Sequence, residues 1–217
     1  MNRREFSVAA ACTVALASLG LPGSVLAQVR KPDDGTDYIT LDKRVPGEAP
    51  AGKIEVIEFF WYSCPHCNTF EPKLVNWIKK LPADVSMRRV PVAFRDDFVP
   101  QQRLYYTLEA MGKLDDLHGK VFHAIHVEKQ LMDKEATILA WVEKNGVDRA
   151  KFQELYNSFS VQTKARRATQ LQDGYKVQGV PAIGVAGRWY TDGTLAGTMD
   201  RALLVTDFLV AEARKSK

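Results

Sequence analysis

The apolar positions of this 217-residue chain follow two different rhythms, and the change between them divides it. Residues 54–62 form an apolar run rich in β-branched and aromatic side chains, short enough for a buried strand. Directly after it, Phe70, Leu74, Trp77, Ile78 and Leu81 recur at three- and four-residue spacing, which marks one face of a helix. Leu81-Pro82-Ala83-Asp84 breaks the pattern, and residues 85–94 alternate loosely as a second strand. Strand, helix and strand in that order predict a βαβ unit with parallel pairing. Upstream, residues 28–37 read as a loose leader and residues 38–41 as a short edge strand. Pro46, Gly47, Pro50 and Gly52 then mark a turn-rich approach to the main strand.

Over residues 99–172 the strand rhythm vanishes. Leu104, Tyr105, Leu108 and Met111 make one helical stripe, ending before Gly112. Leu117, Val121, Phe122 and Ile125 make a second. Ile138, Leu139, Trp141 and Val142 make a third, stopped by Asn145-Gly146. Asp148 suits the cap of a fourth helix, with Phe152, Leu155, Tyr156 and Phe159 on its face. Each stripe needs another to cover it, so the stretch predicts a compact helical subdomain, and no cofactor site is needed to explain it. Strand character returns at residues 180–185 and, after a turn at Gly187-Arg188, at residues 189–191. A terminal helix over residues 199–214 completes an α/β chain.

The first 27 residues stand apart. Arg3 and Arg4 precede an apolar, small-residue stretch over residues 8–21, and Val25-Leu26-Ala27 offers small residues before a cleavage site. The expectation is a signal peptide removed after Ala27, with the mature chain starting at Gln28 in an oxidising compartment. Paired arginines fit both a twin-arginine and an ordinary secretory signal. Of three cysteines, Cys12 would leave with this segment. The formal charge of +4 is small and its lysines and arginines are spread along the chain, which argues against nucleic acid as a partner.

The chemistry lies between the first strand and its helix, at Cys64-Pro65-His66-Cys67. This spacing puts Cys64 at a helix N-terminus, with Pro65 at the first helical position, where its missing N–H costs nothing. Unpaired amides and the helix dipole there favour a thiolate, and His66 can add positive charge or a hydrogen bond. Cys67 lies about one turn on, within disulfide reach. Two cysteines in one CxxC of an exported chain suggest a disulfide that is made and broken. An inert structural disulfide and half of a zinc site are the alternatives, and a closed zinc site needs four ligands. His118, His123 and His126 suit packing or surface roles. His123 and His126 share a helix face, far along the chain from the CxxC. Far downstream, Val180-Pro181 opens a strand, where a cis bond is possible.

The segment EFFWYSCPHC, its helix, and GVP before a hairpin and terminal helix resemble the DsbA family of thiol:disulfide oxidoreductases over essentially the whole mature chain. The resemblance implies a thioredoxin fold made of residues 28–98 and 173–217, interrupted by a helical insertion at residues 99–172. It makes Cys64 the nucleophile, Cys67 its buried partner, and Val180-Pro181 a cis-proline loop packed against them. Glu58 matches the family's buried acid, and Arg89 stands where a lysine is common. The implied function is donation of the Cys64–Cys67 disulfide to unfolded exported polypeptides in the periplasm. The enzyme would be a monomer without cofactor, reoxidised by a DsbB-like membrane quinone reductase. Phe59, Phe60, Trp61 and Tyr62 are expected to divide about evenly between core and substrate-facing surface. A reductase or isomerase of the same fold and a peptide-binding holdase are the competing readings.

Overall fold

The computed structural model describes residues 30–216, so the expected signal peptide with Cys12 lies outside the described residues. Strands β1 (Ile39–Thr40), β2 (Ile54–Phe60), β3 (Val85–Pro91), β4 (Ala182–Val185) and β5 (Trp189–Asp192) form one sheet in the order β1-β5-β4-β2-β3. β2 and β3 pair in parallel, as the βαβ pattern requires, and the other pairs are antiparallel. The helices are α1 (Pro65–Ile78), α2 (Val99–Ala110), α3 (Leu114–His126), α4 (Glu135–Lys144), α5 (Arg149–Tyr156), α6 (Phe159–Gly174) and α7 (Met199–Lys215). Among the described residues no helix is long and apolar enough to cross a membrane.

Two apolar layers sandwich the sheet. Ile54 and Val56 of β2 pack with Phe70 and Leu74 of α1 and Val205 and Leu209 of α7. Ile57 and Phe59, of opposite parity, join the layer that continues through Leu104, Val121 and Phe152 of the helical segment. A central strand covered on both sides has no outward face, and every residue of β2 is buried. This corrects the even division expected of the aromatic run. Phe59, Phe60 and Tyr62 are fully buried. Only Trp61 is half-buried, stacked on Phe98 with ring centroids 4.0 Å apart.

The helical segment contains one helix more than the four apolar stripes predict. Asp148 caps α5 by accepting from Lys151 N, but α5 ends at Tyr156. Ser158 then caps α6 by accepting from Val161 N, and Phe159, expected on the preceding helix face, is 78% exposed. The buried side of α6 is Val161, Ala165, Ala168 and Gln172, mostly small residues that a search for large apolar side chains passes over. Immediately after α6, Tyr175 lies across Gly184 of β4, where any Cβ would run into its ring, and its hydroxyl accepts from Gly187 N at 2.9 Å. That contact anchors the hairpin whose first strand begins just after Pro181.

Candidate active site

Cys64 has extended backbone angles (φ −78°, ψ 117°) and caps α1, with Pro65 inside the first turn. Its sulfur accepts from Cys67 N at 3.4 Å, and its thiol donates to the Val180 carbonyl at 3.3 Å. The Val180–Pro181 peptide bond is cis. The structure thus brings together Cys64, Cys67 and Val180, although 116 positions separate Cys64 from Val180. Pro65 and His66 are exposed, on the solvent side of the first turn. Beside them an open groove of about 420 Å³ is lined by His66, Gly179, Val180, Pro181, Asp192 and Met199.

Both cysteines are free thiols here, and their surroundings push them in opposite directions. The Cys64 thiol is drawn down from 9.0 to about 6. Hydrogen bonding from the Cys67 thiol is the largest cause. The backbone amides of Cys67 and His66 add to it against the opposing effect of burial, and the His66 charge contributes least. Cys67 is fully buried, and burial followed by the adjacent Cys64 pushes its thiol far above the ordinary range. Near neutrality Cys64 therefore gives up its proton, and with it the bond to the Val180 carbonyl, while Cys67 keeps its own.

Beneath the cysteines lies a charged chain. Glu58 is 1% exposed, and Arg89 Nε donates to it at 3.1 Å while Arg89 Nη2 donates to Glu71 of α1 at 2.7 Å. Arg89 reaches Glu58 because the two are register partners across the β2–β3 pair. Burial raises the Glu58 carboxyl to about 8 despite the opposing pull of Arg89. Arginine in place of lysine thus keeps a basic partner here, and its fork serves two acidic side chains at once.

Three further residues also reach the site: Gln101, which sequence reasoning did not single out, and His118 and His126, to which it gave packing or surface roles. Gln101 of α2 accepts from Ser63 N at 3.1 Å and donates to Ser63 Oγ at 2.6 Å. The Tyr62 hydroxyl shares a 2.8 Å hydrogen bond with His118 Nδ1, and His126 Nε2 donates to the Tyr62 carbonyl at 2.8 Å. The three-residue spacing of His123 and His126 misleads: His123 faces solvent beside Glu128, whereas His118, Phe122 and His126 turn inward at four-residue spacing. A histidine next to Leu117 in an apolar stripe was the available signal for His118; nothing in the local pattern marks Gln101. Among the described residues, no group of three or more His, Cys, Asp or Glu side chains is arranged to hold a metal ion.

Comparison with known proteins agrees with this fold. The model of the DSBA-like thioredoxin domain matches residues 55–206. The thiol:disulfide interchange protein DsbA of Bordetella parapertussis is 44% identical over 203 residues, covering 92% of this chain and 96% of that one. The protein of the same name from Pseudomonas aeruginosa is 39% identical over 194 residues, covering 88% and 92%. Its crystal structure superposes with a TM-score of 0.80 over 84% of this chain and 94% of that one. The oxidoreductase DsbA of Xylella fastidiosa, 30% identical, superposes with a TM-score of 0.78 over 85% and 98%. With its CxxC at the start of α1, its thioredoxin-like sheet and its helical insertion, the chain belongs to the DSBA-like thioredoxin domain family of thiol:disulfide oxidoreductases.

Proposed function

We propose that the chain is a dithiol oxidase that donates its Cys64–Cys67 disulfide to unfolded, exported polypeptides. The observation that carries this reading is the unequal treatment of the two sulfurs. A substrate thiolate attacks the Cys64 sulfur of the oxidised enzyme, the Cys64–Cys67 bond breaks, and Cys67 leaves and takes up a proton. A second substrate thiolate attacks the substrate sulfur of the mixed disulfide, forming the substrate disulfide and expelling Cys64 as a thiolate. Two electrons pass from substrate to enzyme. A low pKa makes Cys64 a good leaving group and favours the reduced enzyme, so the couple oxidises other thiols.

The groove beside Val180 and Pro181 supports an extended peptide as substrate, since backbone at a loop edge can pair with backbone. Family membership supports the rest: a periplasmic, monomeric enzyme without cofactor, cleaved after Ala27 and reoxidised by a DsbB-like membrane quinone reductase. The deciding experiment mixes the oxidised enzyme with a reduced, unfolded test protein and measures the couple's potential in glutathione buffers. Rapid oxidation and a potential well above the roughly −270 mV typical of a thioredoxin reductant are expected. A potential near that value would assign a reductase instead. Binding of the test protein that survives Cys64→Ser, with no wild-type oxidation, would assign a holdase.

A further inference from the structure

The nucleophile's position is set from in front as well as from the helix behind it. Cys64 is a capping residue: its carbonyl accepts the first helical bond, from Asn68 N at 3.1 Å, while its extended angles and its own N–H, which donates to the Trp61 carbonyl, tie its direction to Trp61, Tyr62 and Ser63. Among the described residues, all side-chain hydrogen bonds to those three come from the helical insertion. Gln101, 2% exposed, uses both ends of its amide on Ser63. His118 and His126, two turns apart on α3, hold the hydroxyl and the carbonyl of Tyr62. His118 Nε2 also lies 3.6 Å from Glu71 Oε2, whose other oxygen binds Arg89, so the grip on the loop adjoins the charged chain under Cys67.

We propose that Gln101, His118 and His126 are positioning residues for the reaction at Cys64, through which the insertion keeps the first-turn amides of α1 aimed at the sulfur. A 3.4 Å contact from an amide to sulfur weakens steeply with angle, so a loop released by a few tenths of an ångström loses part of it. Gln101 is suited to its place because its carboxamide supplies an acceptor for the Ser63 amide and a donor for the Ser63 hydroxyl at once. His126 is suited to its place because its Nε2–H reaches a carbonyl that the turn leaves open. The inference rests on the dithiol reading above and extends it to residues outside the thioredoxin-like part.

The test is titration of the Cys64 thiolate by its ultraviolet absorbance in the full-length reduced protein, which needs no substrate. In Gln101→Leu and His126→Leu the midpoint should rise by about half a pH unit, roughly a threefold loss of thiolate below it. His126→Gln, which keeps a donor, should return most of the shift. Tyr62→Phe, which removes only the hydroxyl bound by His118, should move the midpoint by less in the same direction and serves where a leucine variant does not fold. Circular dichroism checks the fold of each. Titrations that coincide with wild type, whatever the change in thermal midpoint, would overturn the proposal and leave these residues a packing role. Failure of wild type to oxidise a reduced protein would instead overturn the proposed function and leave this result standing.

Discussion

The mouth and the floor of the site lie only a helical turn apart yet solve opposite electrostatic problems. At the mouth, Cys64 meets a thiol, two backbone amides and an exposed imidazole, all of which favour negative charge. At the floor, Cys67 and Glu58 are buried, and burial, which for Glu58 outweighs the pull of Arg89, holds both in their protonated forms beyond the ordinary range. The contrast shows that sequence spacing fixes which cysteine meets the helix terminus, whereas burial decides which one keeps its proton. Without a stabilised thiolate at Cys64 the reduced form would be less favoured and the couple a weaker oxidant.

The most severe way to break the contrast is to remove the mouth's sulfur. Cys64→Ser should abolish oxidation of a reduced test protein, while Cys67→Ser should form mixed disulfides, read on non-reducing gels, that are not resolved internally. Mixed disulfides on Cys67 in the first variant would reverse the assignment. Next in size is the floor. Arg89→Met takes the shared donor away from the buried Glu58 carboxyl and from Glu71 and should cost about 3 kcal/mol in urea melts. Glu71→Gln in the same background should recover part of that loss, because burial already holds Glu58 neutral. No recovery would place the damage in lost packing instead of charge.

A smaller effect compares the redox forms. Cys64 has a folded pKa of about 6 against 9.0 for an unperturbed thiol, so its ionisation adds stability in full above about pH 9. The contribution is partly present at pH 7 and is lost as pH falls through about 6. The reduced protein should therefore exceed the oxidised one by on the order of 1 kcal/mol at neutral pH, with the melts converging near pH 4. An oxidised form that is the more stable at pH 7 would contradict the oxidant. The mildest change sharpens the picture at the mouth itself. His66→Ala should raise the Cys64 titration midpoint by only a few tenths of a unit, because the imidazole ranks below the thiol and amides. A shift of a full unit would rank the imidazole with the Cys67 thiol and above the helix amides as a source of acidity.

Much of this was legible in the residues. The switch from apolar run to helical spacing located β2 and α1, and Cys-Pro at the junction located the cap. Pairing β2 with β3 by their apolar ends would even have set Glu58 opposite Arg89, which is their register in the sheet. Three things were not legible. β2 is covered on both faces, so alternation along Phe59, Phe60 and Tyr62 carried no information about exposure. α6 buries alanines, whose contribution comes from close approach and not from apolar bulk. The contacts of Gln101, His118 and His126 depend on how helices from the insertion lie against a loop some forty to sixty positions away, and periodicity describes only one element at a time.

The contact between Cys64 and the Val180 carbonyl spans 116 positions, with the whole helical insertion between its ends. Synthesis at about 5–20 residues per second therefore releases the CxxC roughly ten seconds before the loop that will face it exists. During that interval the two cysteines are a short-loop dithiol on an unfinished chain, lacking both the carbonyl that later meets the nucleophile and the insertion side chains that fix its approach. The order of synthesis thus makes the reactive pair first and its surroundings last, and for those seconds the pair has the chemistry of any two thiols on an unfolded chain.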